Sequence, residues 1–113
     1  MSGIANIYNV PVSAPEYNMW AFAHAAHHQD IIRRIYELSN IALPEYILDP
    51  MDPSDPGVWI YQHQLMHNQL NALLGVTGFN LTSVNWENEE LKNGFIFLNA
   101  TEHKRYADLL GIG

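Results

Sequence analysis

One pattern, written three times, constrains this chain more than any other feature. The runs W20-A-F-A-H24-A-A-H27-H28, W59-I-Y-Q-H63-Q-L-M-H67 and F95-I-F-L-N99-A-T-E-H103 share an aromatic, then His or Asn four residues on, then His four further. A shift of 39 lays Trp20, Phe22, His24 and His28 on Trp59, Tyr61, His63 and His67. A further shift of 36 carries those onto Phe95, Phe97, Asn99 and His103, with L-L-G repeated at 73–75 and 109–111. A spacing of four returns to the same side of a helix, so each copy sets an aromatic and two polar residues on one stripe. The pattern predicts an all-α, compact three-helix bundle-like domain. Internal similarity with a period in the thirties also marks helical solenoids, but three units, one of them irregular, make a small assembly instead.

The first helix is predicted over about 16–39, where Trp20, His24, His28, Ile31, Ile35 and Leu38 recur at helical spacing and four alanines add propensity. The second is predicted over about 56–74, with Ser54 or Asp55 as its cap, Pro56 in its first turn and Gly75 as its stop. The third is predicted over about 86–110, capped by Asn85, with Glu87, Glu89 and Glu90 at its positive end and Gly111 as its stop. Gly94 is a weak point inside it. Residues 1–15 read as an extended N-terminal arm with Pro11 and Pro15, leaving 16–113 as a single helical domain. A long Pro-rich loop joins the first two helices. Its Asp-Pro steps at 49, 52 and 55 favour turns, while Leu43, Tyr46, Ile47 and Leu48 are apolar enough to pack along the bundle.

Charge removes several functions. The net charge is −7, and Arg33, Arg34, Lys92, Lys104 and Arg105 are scattered, so no cluster suits phosphates or anionic lipid. The expectation is no nucleic acid and no membrane among the partners. Without cysteine there is neither disulfide nor thiol chemistry. No run approaches the roughly 20 apolar residues of a membrane span and no cationic leader opens the chain, which reads as soluble and made in a cytoplasm. The sequons at Asn80 and Asn99 are read as chance.

Histidines on a core stripe have two readings. In the first, neutral imidazoles bond loop carbonyls and carboxylates and hold the long connections to the bundle. In the second, His28, His67 and His103, at equivalent positions, bind a transition metal. The first is preferred, so no residue is assigned as catalytic, cofactor-binding or metal-binding, and no cofactor is expected. The stripe lacks the Glu-x-x-His carboxylates of dimetal bundles, Glu102 merely preceding His103, and H63-Q-L-M-H67 lacks the glutamate of a metalloprotease. His27 lies off register and reads as expendable. Serines sit in tails, caps or loops without a nucleophile elbow, and there is no phosphate loop, so the chain is not expected to be an enzyme. Within each of Trp20/Phe22, Trp59/Tyr61 and Phe95/Phe97, positions two apart diverge by about 200°. One of each pair must therefore meet a loop or another subunit.

The run W59-x3-H63-x3-H67-N-Q-L-N-x-L-L-G75, then G78-F-N-L-T-S-V-N-W86, then F95-x7-H103-x5-L-L-G-I resembles small virion-associated proteins of tailed bacteriophages. Their opening W/F-x-F…H…D-I-I is matched by W20-A-F-A-H24…D30-I-I, and their L-P-x-Y-x-L-D-P by L43-P-E-Y-I-L-D-P50, so the resemblance spans residues 20–112. It implies a non-enzymatic structural component of a phage virion: a capsid-associated, connector, tail or baseplate subunit. Such a subunit docks in many symmetric copies on other virion proteins, and is found in the virion after synthesis in the host cytoplasm. The alternative is a small His-rich helical metal-binding protein. Where that family has aspartates in G-x-D-L-x-x-V-D, this chain has Asn80 and Asn85, which removes charged Asp–His pairs as a means of pinning the loop.

Overall fold

A computed structural model describes residues 14–45, 57–81 and 88–112, with side chains from Met19 onward in the first stretch and from Ile60 onward in the second. It contains α1 (Ala14–Ser39), α2 (Gly57–Leu74) and α3 (Glu89–Leu110), and no strand among the described residues. The expected all-α three-helix domain is what the chain forms. No described helix is long and apolar enough to cross a membrane.

The boundaries differ from expectation at two places. α1 starts at Ala14 and takes in Pro15, a first-turn position where the missing N–H is not needed. α3 starts at Glu89, three residues later than predicted, because Asn88 rather than Asn85 caps it: Asn88 is extended and its Oδ1 accepts from the Leu91 N–H at 3.0 Å. Glu89 and Glu90 fill the first turn as anticipated. The arm over 1–13, the Asp-Pro steps, the cap at Ser54 or Asp55 with Pro56, Asn85, Glu87, and the side chains of Tyr46, Ile47, Leu48, Trp59 and Trp86 lie outside the described residues.

All three helices end in left-handed residues: Asn40 (φ 60), Gly75 (φ 69) and Gly111 (φ 73). Val76 N–H then reaches back to Asn71 O and Ile112 N–H to Ala107 O, closing carbonyls the helix leaves open. No helix carries a basic residue in its last turn, but Arg34 of α1 donates to Leu110 O at 2.9 Å and so brings a cation to the negative end of α3.

The threefold pattern of the sequence is a threefold pattern in space, and it runs further than the histidines. Equivalent positions are buried together: Ile31, Leu70 and Tyr106 are each wholly inaccessible. One helical turn on, Ile35 and Leu110 are buried and Leu74 packs against them. Leu38, the last member of the α1 stripe, departs from the pattern and is 58% exposed. Around these columns two separate apolar clusters form. Trp20, Ala21, Ala23, Leu81, Phe95 and Ile96 make one, and Ala25, Ile31, Ile35, Met66, Leu70, Tyr106 and Leu110 make the other, with Leu43 of the connection packed against it. Between the two lies a layer made almost wholly of histidine.

Each aromatic pair divides as its spacing requires. Trp20 is buried and Phe22 is 79% exposed; Phe95 is buried and Phe97 is 69% exposed; Tyr61 is 62% exposed.

Candidate metal centre

The four-residue spacing on α1 and α2, and its single histidine on α3, deliver His24, His28, His63, His67 and His103 to one point. All five are buried, and one ring nitrogen from each lies within 4.8 Å of every other. The close approaches are between Nε2 atoms: His24 to His103 at 3.0 Å, His28 to His67 at 3.3 Å and His24 to His63 at 3.4 Å. The ring of His24 stacks on Trp20 at 4.8 Å between centroids, and His63 meets Phe95 at 5.9 Å, so one apolar cluster closes this side. Tyr106 closes the other, with its ring 5.5 Å from His67 and 6.0 Å from His103.

These spacings approach those of a coordination sphere, the widest, up to 4.8 Å, needing to contract by about half an ångström. With metal–nitrogen bonds of about 2.1 Å, adjacent donors of an octahedron are about 3.0 Å apart and opposite ones about 4.2 Å. Five nitrogens exceed the four of a closed tetrahedral zinc site. A carboxylate-bridged pair of ions is disfavoured by the wiring of Glu102, the one carboxylate touching the cluster among the described residues. Its Oε1 faces His67 Nδ1 at 3.0 Å, the Tyr106 hydroxyl at 2.7 Å and Asn71 Nδ2 at 3.3 Å, while its Oε2 accepts from Phe79 N–H at 2.7 Å. Both oxygens are engaged on the outer side of the histidines.

This outer ring of contacts sets the tautomers a metal needs. A His67 that donates Nδ1–H to Glu102 leaves Nε2 bare toward the cluster, the carboxylate–histidine arrangement common behind metal ligands. On His103, Nδ1 faces His27 Nδ1 at 2.6 Å, so a neutral His27 accepts that proton and again frees Nε2. His27 is held neutral: burial, then the neighbouring His24, lower its pKa from 6.5 to about 4. His28, His63 and His103 are pushed well below the usual range, first by burial and then by adjacent imidazoles. Glu102 goes the other way from an ordinary buried acid. Burial raises its pKa, but the His67 hydrogen bond and charge, the Phe79 N–H and the Tyr106 hydroxyl outweigh it and hold it at about 2. Tyr106 is raised by burial and by the Glu102 charge, so it stays a phenol. Unprotonated imidazoles beside a fixed carboxylate are the state in which a metal binds without first displacing protons.

Several expectations are corrected here. His28, His67 and His103 do come together, but His24 and His63 join them. One ring nitrogen of each faces the others, while the expected bond to a carboxylate is made by His67, whose Nδ1 meets Glu102. The loop over 76–81 is instead held by Glu102, by Arg105, which donates to Thr77 O at 2.6 Å, and by Gln64, which accepts from Leu81 N–H. His27, although off register, is 2% exposed and in contact with His103. Glu102, which the sequence marks only as the residue before His103, is fully buried. Tyr106 and Asn71 carry no sequence signal for the site, whereas Asn99 stands in the histidine register. Its burial also closes it to glycosylation.

No protein-family model matches this chain, and neither curated proteins nor solved structures include a significant match to it.

Proposed function

We propose that this chain is a small, non-enzymatic helical metal-binding domain, in which one transition-metal ion held by His24, His28, His63, His67 and His103 ties the three helices together. The observation that carries this is the convergence of five buried imidazole nitrogens within 4.8 Å. An all-nitrogen, neutral donor set selects borderline first-row metals and rejects calcium and magnesium, which require oxygen. It also accounts for an otherwise costly core, since imidazoles turned toward one another away from solvent lose hydration that an ion restores as ligand bonds. The test is elemental analysis of the purified chain with thermal melts before and after chelation. The expected result is one transition metal per chain after reconstitution with zinc, cobalt or nickel, and a melting temperature lowered by several degrees when a chelator strips it. A chain that takes up none of the three ions and melts identically in chelator overturns the proposal.

A second reading concerns where such a domain works. The exposed Phe22, Tyr61 and Phe97, at matched positions on three helices, favour repeated docking onto other proteins. Together with the sequence resemblance they support a structural subunit of a phage particle, an assembly in which a metal-braced core adds rigidity. Mass spectrometry of purified particles tests it: the chain is expected in stoichiometric amounts, and its absence from particles despite expression in infected cells overturns this reading.

A further inference from the structure

Three helices, each contributing two stripe positions, supply six places around the centre: 24 and 28, 63 and 67, 99 and 103. Five are histidine and the sixth is Asn99. Asparagine ends one atom short of the reach of a histidine Nε2, so Asn99 does not itself extend to where a sixth imidazole would meet the ion. Asn99 is wholly buried, and among the described residues neither amide atom makes a hydrogen bond of full geometry, its one polar approach being to His63, whose pKa it raises. An amide left so is rare and costly unless something occupies the space before it. Its neighbours fit the inner end of a site: it follows Phe95 and precedes His103 by one turn each on α3, and its amide lies beside the His63 ring, one of the five donors.

We propose that the sixth position of this centre is an open coordination site for a small exogenous ligand, water or a monoanion of azide size, bound to the ion and hydrogen-bonded by the Asn99 amide. This rests on the metal reading above. Charge favours an anion, because five neutral imidazoles leave the ion's two positive charges opposed only by Glu102, which lies behind His67 on the outer side. Asparagine offers both a donor and an acceptor, so it serves an anion or a water equally. Size is limited by Trp20, Phe95 and Ile96, which bury this end of the histidine layer. No covalent step is involved: the ligand exchanges with water at the ion.

The experiment is visible absorption of the full chain loaded with cobalt(II) and titrated with azide. Wild type is expected to hold one cobalt and to change its spectrum saturably with one azide. Asn99→His is expected to keep one cobalt and lose the azide response, its imidazole filling the sixth place. Asn99→Ala keeps the place open but lacks the amide, and is expected to keep cobalt while binding azide about tenfold more weakly. A wild-type chain that binds cobalt but is inert to azide overturns the open site and leaves the metal reading standing. A chain that binds none of cobalt, nickel and zinc overturns both, and one that binds zinc or nickel but no cobalt overturns the open site alone. Should Asn99→His not fold, an azide affinity in Asn99→Ala equal to wild type still overturns the role given to Asn99.

Discussion

Glu102 joins several parts of the buried polar network: it touches His67, Tyr106, Asn71 and the backbone of the 76–81 loop. Glu102→Gln keeps an acceptor for Phe79 N–H but removes the charge behind His67. Metal affinity is expected to fall by roughly 10- to 100-fold in competition with a chelator of known strength. Protonation gives a second expectation at this scale. The folded-state pKa of His27 is about 4 against 6.5 for an ordinary histidine, and His28, His63 and His103 are shifted the same way. The unfolded chain therefore takes up more protons below pH 6.5, so their contribution is complete above that pH and is lost as pH falls through 6.5 toward 4 and beyond. Glu102 adds its own loss only between 4.5 and about 2. Each unmatched proton costs about 1.4 kcal/mol per pH unit, so metal-free melts are expected to drop steeply between pH 6.5 and 5; an unchanged melting temperature there contradicts it. Register alone shows five of these residues, because His24, His28, His63, His67 and His103 repeat at fixed offsets. The column one step before the second histidine, His27, Met66 and Glu102, is buried on all three helices, yet its mixed chemistry hides it from a search for like residues.

Two glycines test the elements. Gly94 lies within α3 with nothing within 4 Å of where a side chain would begin. Gly94→Ala is expected to raise stability by about 0.5–1 kcal/mol, read as a higher melting temperature with unchanged metal binding. Gly78 is the opposite case. A Cβ there would fall 1.9 Å from Asn71 Nδ2 and 3.2 Å from Glu102 Oε1, so the loop comes this close only without one. Gly78→Ala is expected to destabilise by about 1–3 kcal/mol and to weaken metal binding by displacing Glu102. The ends of the helices show what a sequence can and cannot yield. Gly75 and Gly111 end α2 and α3 as read, because a left-handed residue after a run of leucines has a local cause. The start of α3 does not: Asn85 and Asn88 are both able caps three residues apart, and the choice between them is not local.

At the scale of the molecule, two apolar clusters enclose a polar layer, and the aromatics left over form an outer row. Phe22→Ser with Phe97→Ser is expected to leave melting and metal content within error, since neither side chain packs inside. The same pair is expected to abolish incorporation into particles, read by mass spectrometry; wild-type incorporation contradicts docking through this row. That one aromatic of each pair faces outward follows from helical geometry. Which partner it meets does not, because a single chain contains only half of an interface. Trp20 belongs to the inner set, and its indole lies nearly parallel to the His24 ring, 10° apart at 4.8 Å. An unpaired-electron ion such as cobalt or copper would then sit one imidazole away from an indole, close enough to quench its emission. If the proposed centre forms, the Trp20 share of the emission is expected to fall on loading with such an ion and to return when a chelator strips it.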